Sequence, residues 1–174
     1  MTIILFHSFL FIFIIYLNGF IFLKNFLKLK KIQNFYEISL IGLVITIIAA
    51  QFLNFFIPLN DYLLIFNIFL LSVYLLFFRD NFELFKKIDL KILSILAILS
   101  FVNIYGSNFS DDLNHYHYSF ISNADTTNFI WGQNFLHPLY GTTPSWLIGH
   151  SYFNFDQYRL QDIHVLNGII FFLS

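Results

Sequence analysis

The stretch ISLIGLVITIIAAQFLNFFI, residues 38–57, carries no charge over twenty positions and stops at Pro58. About 20 apolar residues of helix cross the hydrocarbon core of a bilayer. After a break at 58–61, the run YLLIFNIFLLSVYLLFF at 62–78 is apolar again. So short a connection makes the two runs a helical hairpin. Working outward, residues 3–23 form a first apolar run and residues 88–105 a fourth, in which Lys91 must snorkel toward the headgroups. The first run has no basic start and is followed by lysines instead of a small-residue cleavage site, so it reads as a retained span.

Composition agrees. Hydrophobic residues make up 58% of the 174 and charged residues 11%, under half the share of a soluble domain, too little to cover its surface. The expected fold class is therefore an all-α integral membrane protein with the lipid bilayer as its partner. A net charge of -1 gives no reason to expect nucleic acid, and with no cysteine there is no disulfide, thiolate or Cys-ligated zinc chemistry.

Basic residues set the orientation. Lys24, Lys28, Lys30 and Lys31 follow the first run, and Arg79, Lys86, Lys87 and Lys91 lie between the third and fourth. Both clusters fall on one side, which the positive-inside rule makes cytoplasmic. The N-terminus, the 58–61 turn and the loop at 106–161 then face outward. The expected divisions are a four-span region at 1–105, an extracytoplasmic loop at 106–161 with short interfacial helices, and the start of a fifth span at 162–174. That last run stops after about a dozen residues, too few to cross a bilayer, so the chain reads as the front part of a longer protein.

The 106–161 loop, 56 residues with little apolar periodicity, contains the one chemically dense stretch: Ser110-Asp111-Asp112-Leu113-Asn114-His115-Tyr116-His117. Ser110 suits a helix N-cap and the aspartates suit a first turn, with a short helix expected from 111 to about 122. On it Asp111 and His115 are four apart, Asp112 and His115 three, and Asp112 and Tyr116 four, so they share a face. Capping and surface polarity account for one aspartate. A second aspartate, two histidines and a tyrosine beside it form a set from which a general base is drawn. A Mg or Mn ion held chiefly by carboxylates fits this set better than one bridging His115 and His117, which a helix points apart.

Arg159 is the only basic residue of the loop. It has two readings, a bidentate phosphate donor and an ion pair with Asp156 or Asp162. His137, His150 and His164 read as structural, whereas His7, inside the first span, is a functional flag. Trp131 and Trp146 suit the headgroup level. Asn108-Phe109-Ser110 fits a glycosylation sequon.

The succession Asp111-Asp112, Tyr116, Tyr118, Gly132, Pro138, Tyr140, Pro144 and Arg159-Leu160 leading into an apolar run resembles the first outer loop of the polytopic GT-C glycosyltransferases, the class of the aminoarabinose transferases and protein mannosyltransferases. The resemblance covers about residues 111–174. It implies transfer of a sugar from a polyprenyl-phosphate donor to an acceptor at the outer face of the plasma (inner) membrane of the cell envelope. Asp111 or Asp112 would act as base or help bind a Mg or Mn ion. His115, Tyr116, His117 and Arg159 would line the substrate site, with Arg159 on the lipid phosphate. In many members the acidic loop follows the first span; here three further spans precede it. The alternative is a non-enzymatic polytopic protein: a transporter, flippase or accessory subunit. Such proteins carry polar or broken helices at mid-membrane, and Asn18-Gly19, Gln51 and Asn54 are the candidates for that role.

Overall fold

A computed structural model describes residues 2–28, 34–77, 98, 118–128, 145–153 and 165–173. Every regular element among them is helical: α1 (Thr2–Ile21), a π-helical turn (Phe22–Phe26), α2 (Phe35–Asn54), α3 (Asp61–Phe77), α4 (Tyr118–Thr126), α5 (Ser145–Tyr152) and α6 (Val165–Leu173). The segments His7–Phe26 and Phe35–Asn54 are long and apolar enough to cross a membrane. α3 is apolar too but, at 17 residues, shorter. The fourth expected span lies outside the described residues except for Ile98, which is helical and exposed.

α1 and α2 pack antiparallel, and two glycines set their distance. A Cβ on Gly42 would stand 1.9 Å from the carbonyl oxygen of Ile15, and one on Gly19 would stand 2.0 Å from that of Ile38. No larger residue fits at either place. Gly42, Thr46 and Ala50, four apart, are all buried, the small-residue spacing that lets helix backbones approach closely where apolar packing alone gives little preference. Polar side chains in this seam bond locally. Thr46 Oγ1 donates to the Gly42 carbonyl at 2.7 Å and accepts from Asn18 Nδ2 at 2.9 Å, while Ser39 Oγ donates to the Phe35 carbonyl. Around them Phe11, Ile14, Ile15 and Leu17 of α1 form the most buried part of the core.

The first helical segment runs slightly past the expected residue 23. Its last turn widens to the π form, which stacks Phe22 on Phe26, with ring centroids 5.5 Å apart. Lys28, at φ 51°, takes the left-handed conformation and turns the chain away.

α2 and α3 are joined by a tight turn in which the amides of Phe56 and Ile57 both donate to the Leu53 carbonyl at 2.9 Å. The helices then part. Among the described elements α3 makes its principal backbone approach to α1 and few close ones to α2. Only Leu64 and Leu71 of α3 are buried. The outer faces are apolar: Val44, Ile48 and Phe52 form an exposed stripe on α2, continued by Ile65, Phe66 and Phe69 on α3.

α6 lies against α1 and α2. Leu166 would meet a Cβ placed on Gly149, as would Ile47, while Phe172 approaches the ring of Tyr36 with centroids 6.3 Å apart. The helix therefore runs from the middle of α2 toward its N-terminal end.

Candidate functional site

The residues singled out for chemistry, Asp111, Asp112, His115, Tyr116, His117 and Arg159, lie outside the described residues, as do Trp131, His137, His164 and the sequon. What the structure describes is the frame on either side of them.

The described part of α4 runs from Tyr118 to Thr126, past the expected end near 122. Two threonines extend it: Thr126 Oγ1 donates to the Ser122 carbonyl and Thr127 Oγ1 to that of Asn123, both at 2.8 Å. Its C-terminal end is tied to the α2–α3 turn. Leu59 N donates to the Ala124 carbonyl at 2.8 Å, and Asn54 Nδ2 reaches the same oxygen at 3.1 Å and the Thr127 carbonyl at 3.3 Å. Helix C-termini leave carbonyls without intrahelical partners, and here a buried side-chain amide satisfies them. Phe120, Ile121, Ala124 and Asp125 form the buried face of α4.

α5 packs on α2 and α4. Ser145 Oγ donates to Gln51 Oε1 at 2.9 Å near the end of α2. Ser151 Oγ donates to the Ile121 carbonyl at 3.2 Å, and Tyr152 accepts a hydrogen bond from Asn67 Nδ2, a turn and a half into α3. The residues from Leu147 through Phe153 are buried. This helix does not lie flat like the short interfacial helices expected of the 106–161 loop. It plunges into the bundle, because Gly149 lets it rest against Ile47 and the ring of Phe153 finds the edge of Phe11 at 5.1 Å. His150, expected to be structural, is 2% exposed on this helix, and His7 is likewise buried, its ring tilted against Phe11.

Between α1, α2, α3 and α5 lies a half-open cavity of about 410 Å³. Its walls are overwhelmingly apolar, and four polar residues interrupt them: Asn18, Thr46, Asn67 and Tyr152. They are paired, Asn18 with Thr46 and Asn67 with Tyr152. Asn18, Gln51 and Asn54 thus all have bonded tasks, while Gly19 serves close packing. Asn67 and Tyr152 were not singled out from the sequence. A lone amide midway along an apolar run was the available signal for Asn67; nothing local marked Tyr152 among ten tyrosines. Among the described residues no group of three or more His, Asp or Glu is gathered that would hold a metal. The carboxylates expected to hold a Mg or Mn ion lie outside them.

The described elements thus define an all-helical bundle with two helices long enough to span a membrane and a later segment fastened to one end of it. The chain belongs to the family described as a domain of unknown function (DUF8201), which matches residues 1–174. No curated protein and no solved structure matches it.

Proposed function

We propose that the chain is a multi-pass plasma-membrane protein whose 106–161 segment belongs to the outer side, with α5 dipping back into the bundle, and that it acts as a membrane glycosyltransferase, or as the front portion of one, of the GT-C kind. The membrane part of this reading is supported by the exposed apolar stripe from Val44 to Phe52 and its continuation on α3, a surface that lipid would cover. The catalytic part rests on the acidic cluster, and one observation carries it further. Asn54 and Leu59 fasten Ala124 and Thr127, 12 and 15 residues after Asp112, to the turn end of α2 and α3. A lipid-linked donor presents its sugar phosphate at the bilayer surface, so a base on a segment pinned to one end of the spans meets it there.

In this mechanism Asp111 or Asp112 takes the proton of an acceptor hydroxyl. The acceptor oxygen bonds to the anomeric carbon while the carbon–oxygen bond to polyprenyl phosphate breaks, its electron pair leaving on phosphate. His115, Tyr116 and His117 hold the sugar, and Arg159 offsets the phosphate charge. A bound Mg or Mn ion would supply further charge neutralisation. Replacing Asp111 and Asp112 singly with Asn, then assaying transfer from a polyprenyl-phosphate sugar by the membrane-inserted chain, tests the assignment. Full activity in both variants would sink it.

A second reading, a non-enzymatic transporter, flippase or accessory subunit, is favoured by the polar pairs Asn18–Thr46 and Asn67–Tyr152 beside an apolar cavity. Polar groups at mid-span commonly mark a pathway. Under this reading, substitution of the pairs abolishes function while the two aspartate variants keep it.

A further inference from the structure

The cavity between α1, α2, α3 and α5 is unexplained by sugar transfer at the outer face. Its volume of about 410 Å³ falls in the range of ligand sites, and cavities with such apolar linings stay dry and take apolar guests. No charged residue lines it. Its existence follows from the splaying of α3 from α2, which share a tight turn yet approach each other little beyond it. α3 is held instead by α1 and by the Asn67–Tyr152 bond to α5, which leaves the wedge open.

The wedge is elongated and its two ends differ in charge. At one end it is lined by Phe22 and Phe26 of the π-helical turn; Lys24 and Lys28, exposed, follow in the chain without lining the cavity, the Lys24 ammonium lying over the Phe20 ring at 5.6 Å. At the other it reaches Ile57, Leu63 and Phe66, residues shared with a shallower depression of about 320 Å³ that continues to Asn60 and Tyr62. Asp61, between those two, starts α3. An anionic group is therefore favoured at the lysine end and disfavoured at the other. The paired amides and hydroxyls midway add no net charge, which suits a neutral chain passing them.

We propose that this cavity binds one acyl chain of an anionic glycerophospholipid, with the phosphate held beside Lys24 and Lys28. The proposal rests on the reading of the chain as membrane-embedded and is independent of the glycosyltransferase reading. Its occupant is a fixed lipid wedging α2 from α3, distinct from any donor at the outer face.

The test uses the full chain reconstituted in vesicles of phosphatidylcholine carrying a trace of either phosphatidylglycerol or phosphatidylcholine with a photoactivatable group midway along one acyl chain. Resistance to carbonate extraction is established first; failure to insert overturns both this proposal and the membrane reading. After insertion, crosslinks are mapped by mass spectrometry. The expected result is labelling concentrated on the half-buried lining residues Phe22, Ile45, Leu53 and Leu63, with phosphatidylglycerol preferred on the order of ten-fold. Ala49→Phe, which fills the cavity, should remove that labelling, whereas Ile48→Phe on the outer stripe should leave it. Lys24→Gln with Lys28→Gln should keep the labelled positions but abolish the headgroup preference. Labelling spread evenly over Ile48, Phe52 and Phe69 and indifferent to Ala49→Phe would overturn the proposal, as would equal labelling by the two lipids in the unaltered chain.

Discussion

Gly19 and Gly42 face each other so closely that a Cβ on Gly42 would stand 2.7 Å from the Gly19 nitrogen, and one on Gly19 would stand 2.9 Å from the nitrogen of Gly42. The obstructing atoms are backbone, which cannot step aside as a side-chain tip can. Gly42→Val should therefore force α1 and α2 apart and destabilise the bundle by about 3 kcal/mol or more, the upper range for overpacking. Gly149→Ala is the contrast: its nearest neighbour, at 2.9 Å, is the end of the Leu166 side chain. Its cost should be under about 1 kcal/mol. Thermal unfolding of both variants in one detergent checks the order, and equal losses would contradict it.

Asn54 is the buried side chain that joins the α2–α3 turn to α4. Asn54→Leu keeps the bulk and removes the donations to Ala124 and Thr127, leaving the Leu59 amide as the remaining tie. The expected loss is about 1 kcal/mol, because the buried Ala124 carbonyl loses one of its two partners and the Thr127 carbonyl belongs to an exposed residue. Hydrogen exchange at Leu59 and within α4 should accelerate in this variant while α1 is unchanged. If exchange rises equally in α1, the effect is global and the tie is not local.

Asn18 and Thr46 form a hydrogen bond across the α1–α2 seam. A double-mutant cycle with Asn18→Leu and Thr46→Val should return a coupling of about 0.6–1.7 kcal/mol, the range of interhelical hydrogen bonds in membranes. A coupling of zero would mean that the two substitutions act independently and that the seam depends on its glycines alone.

The Leu59–Ala124 bond puts the α2–α3 turn and the end of α4 on one side of the bundle. The chain has no cysteine, so Leu59→Cys with Ala124→Cys can be introduced as the sole pair. Mild oxidation should crosslink them in membranes. Reporter fusions at Lys31 and Asn123 should report opposite sides, and the same side for both would overturn the proposed topology.

Much of the helical frame was legible as uncharged length. The runs at 38–57 and 62–78 became α2 and α3 with shifts of one to three residues, because the ends are set by turn and capping bonds that hydropathy does not register. The separation of α3 from α2 was not legible: a short connection constrains two helix ends, while the packing of the remaining turns depends on partners elsewhere. Asn67 meets Tyr152 across 85 positions, and Asn54 meets Ala124 across 70. No local pattern encodes such pairings. Asp111 and Asp112 were conspicuous because charge is scarce here, and scarcity gives position in the chain without giving geometry.

The tie at Asn54 also imposes an order of events on biogenesis. Its two acceptors on α4 are made 70 and 73 residues after it. At synthesis rates of about 5–20 residues per second, the amide exists for roughly 4–14 s before either acceptor does. Until then the amide has water and the Ile57 carbonyl, at 3.4 Å, as acceptors, so the α2–α3 turn cannot be buried as it is in the finished bundle. Closure of that end waits for α4, which makes the first three helices an open intermediate that the second half of the chain completes.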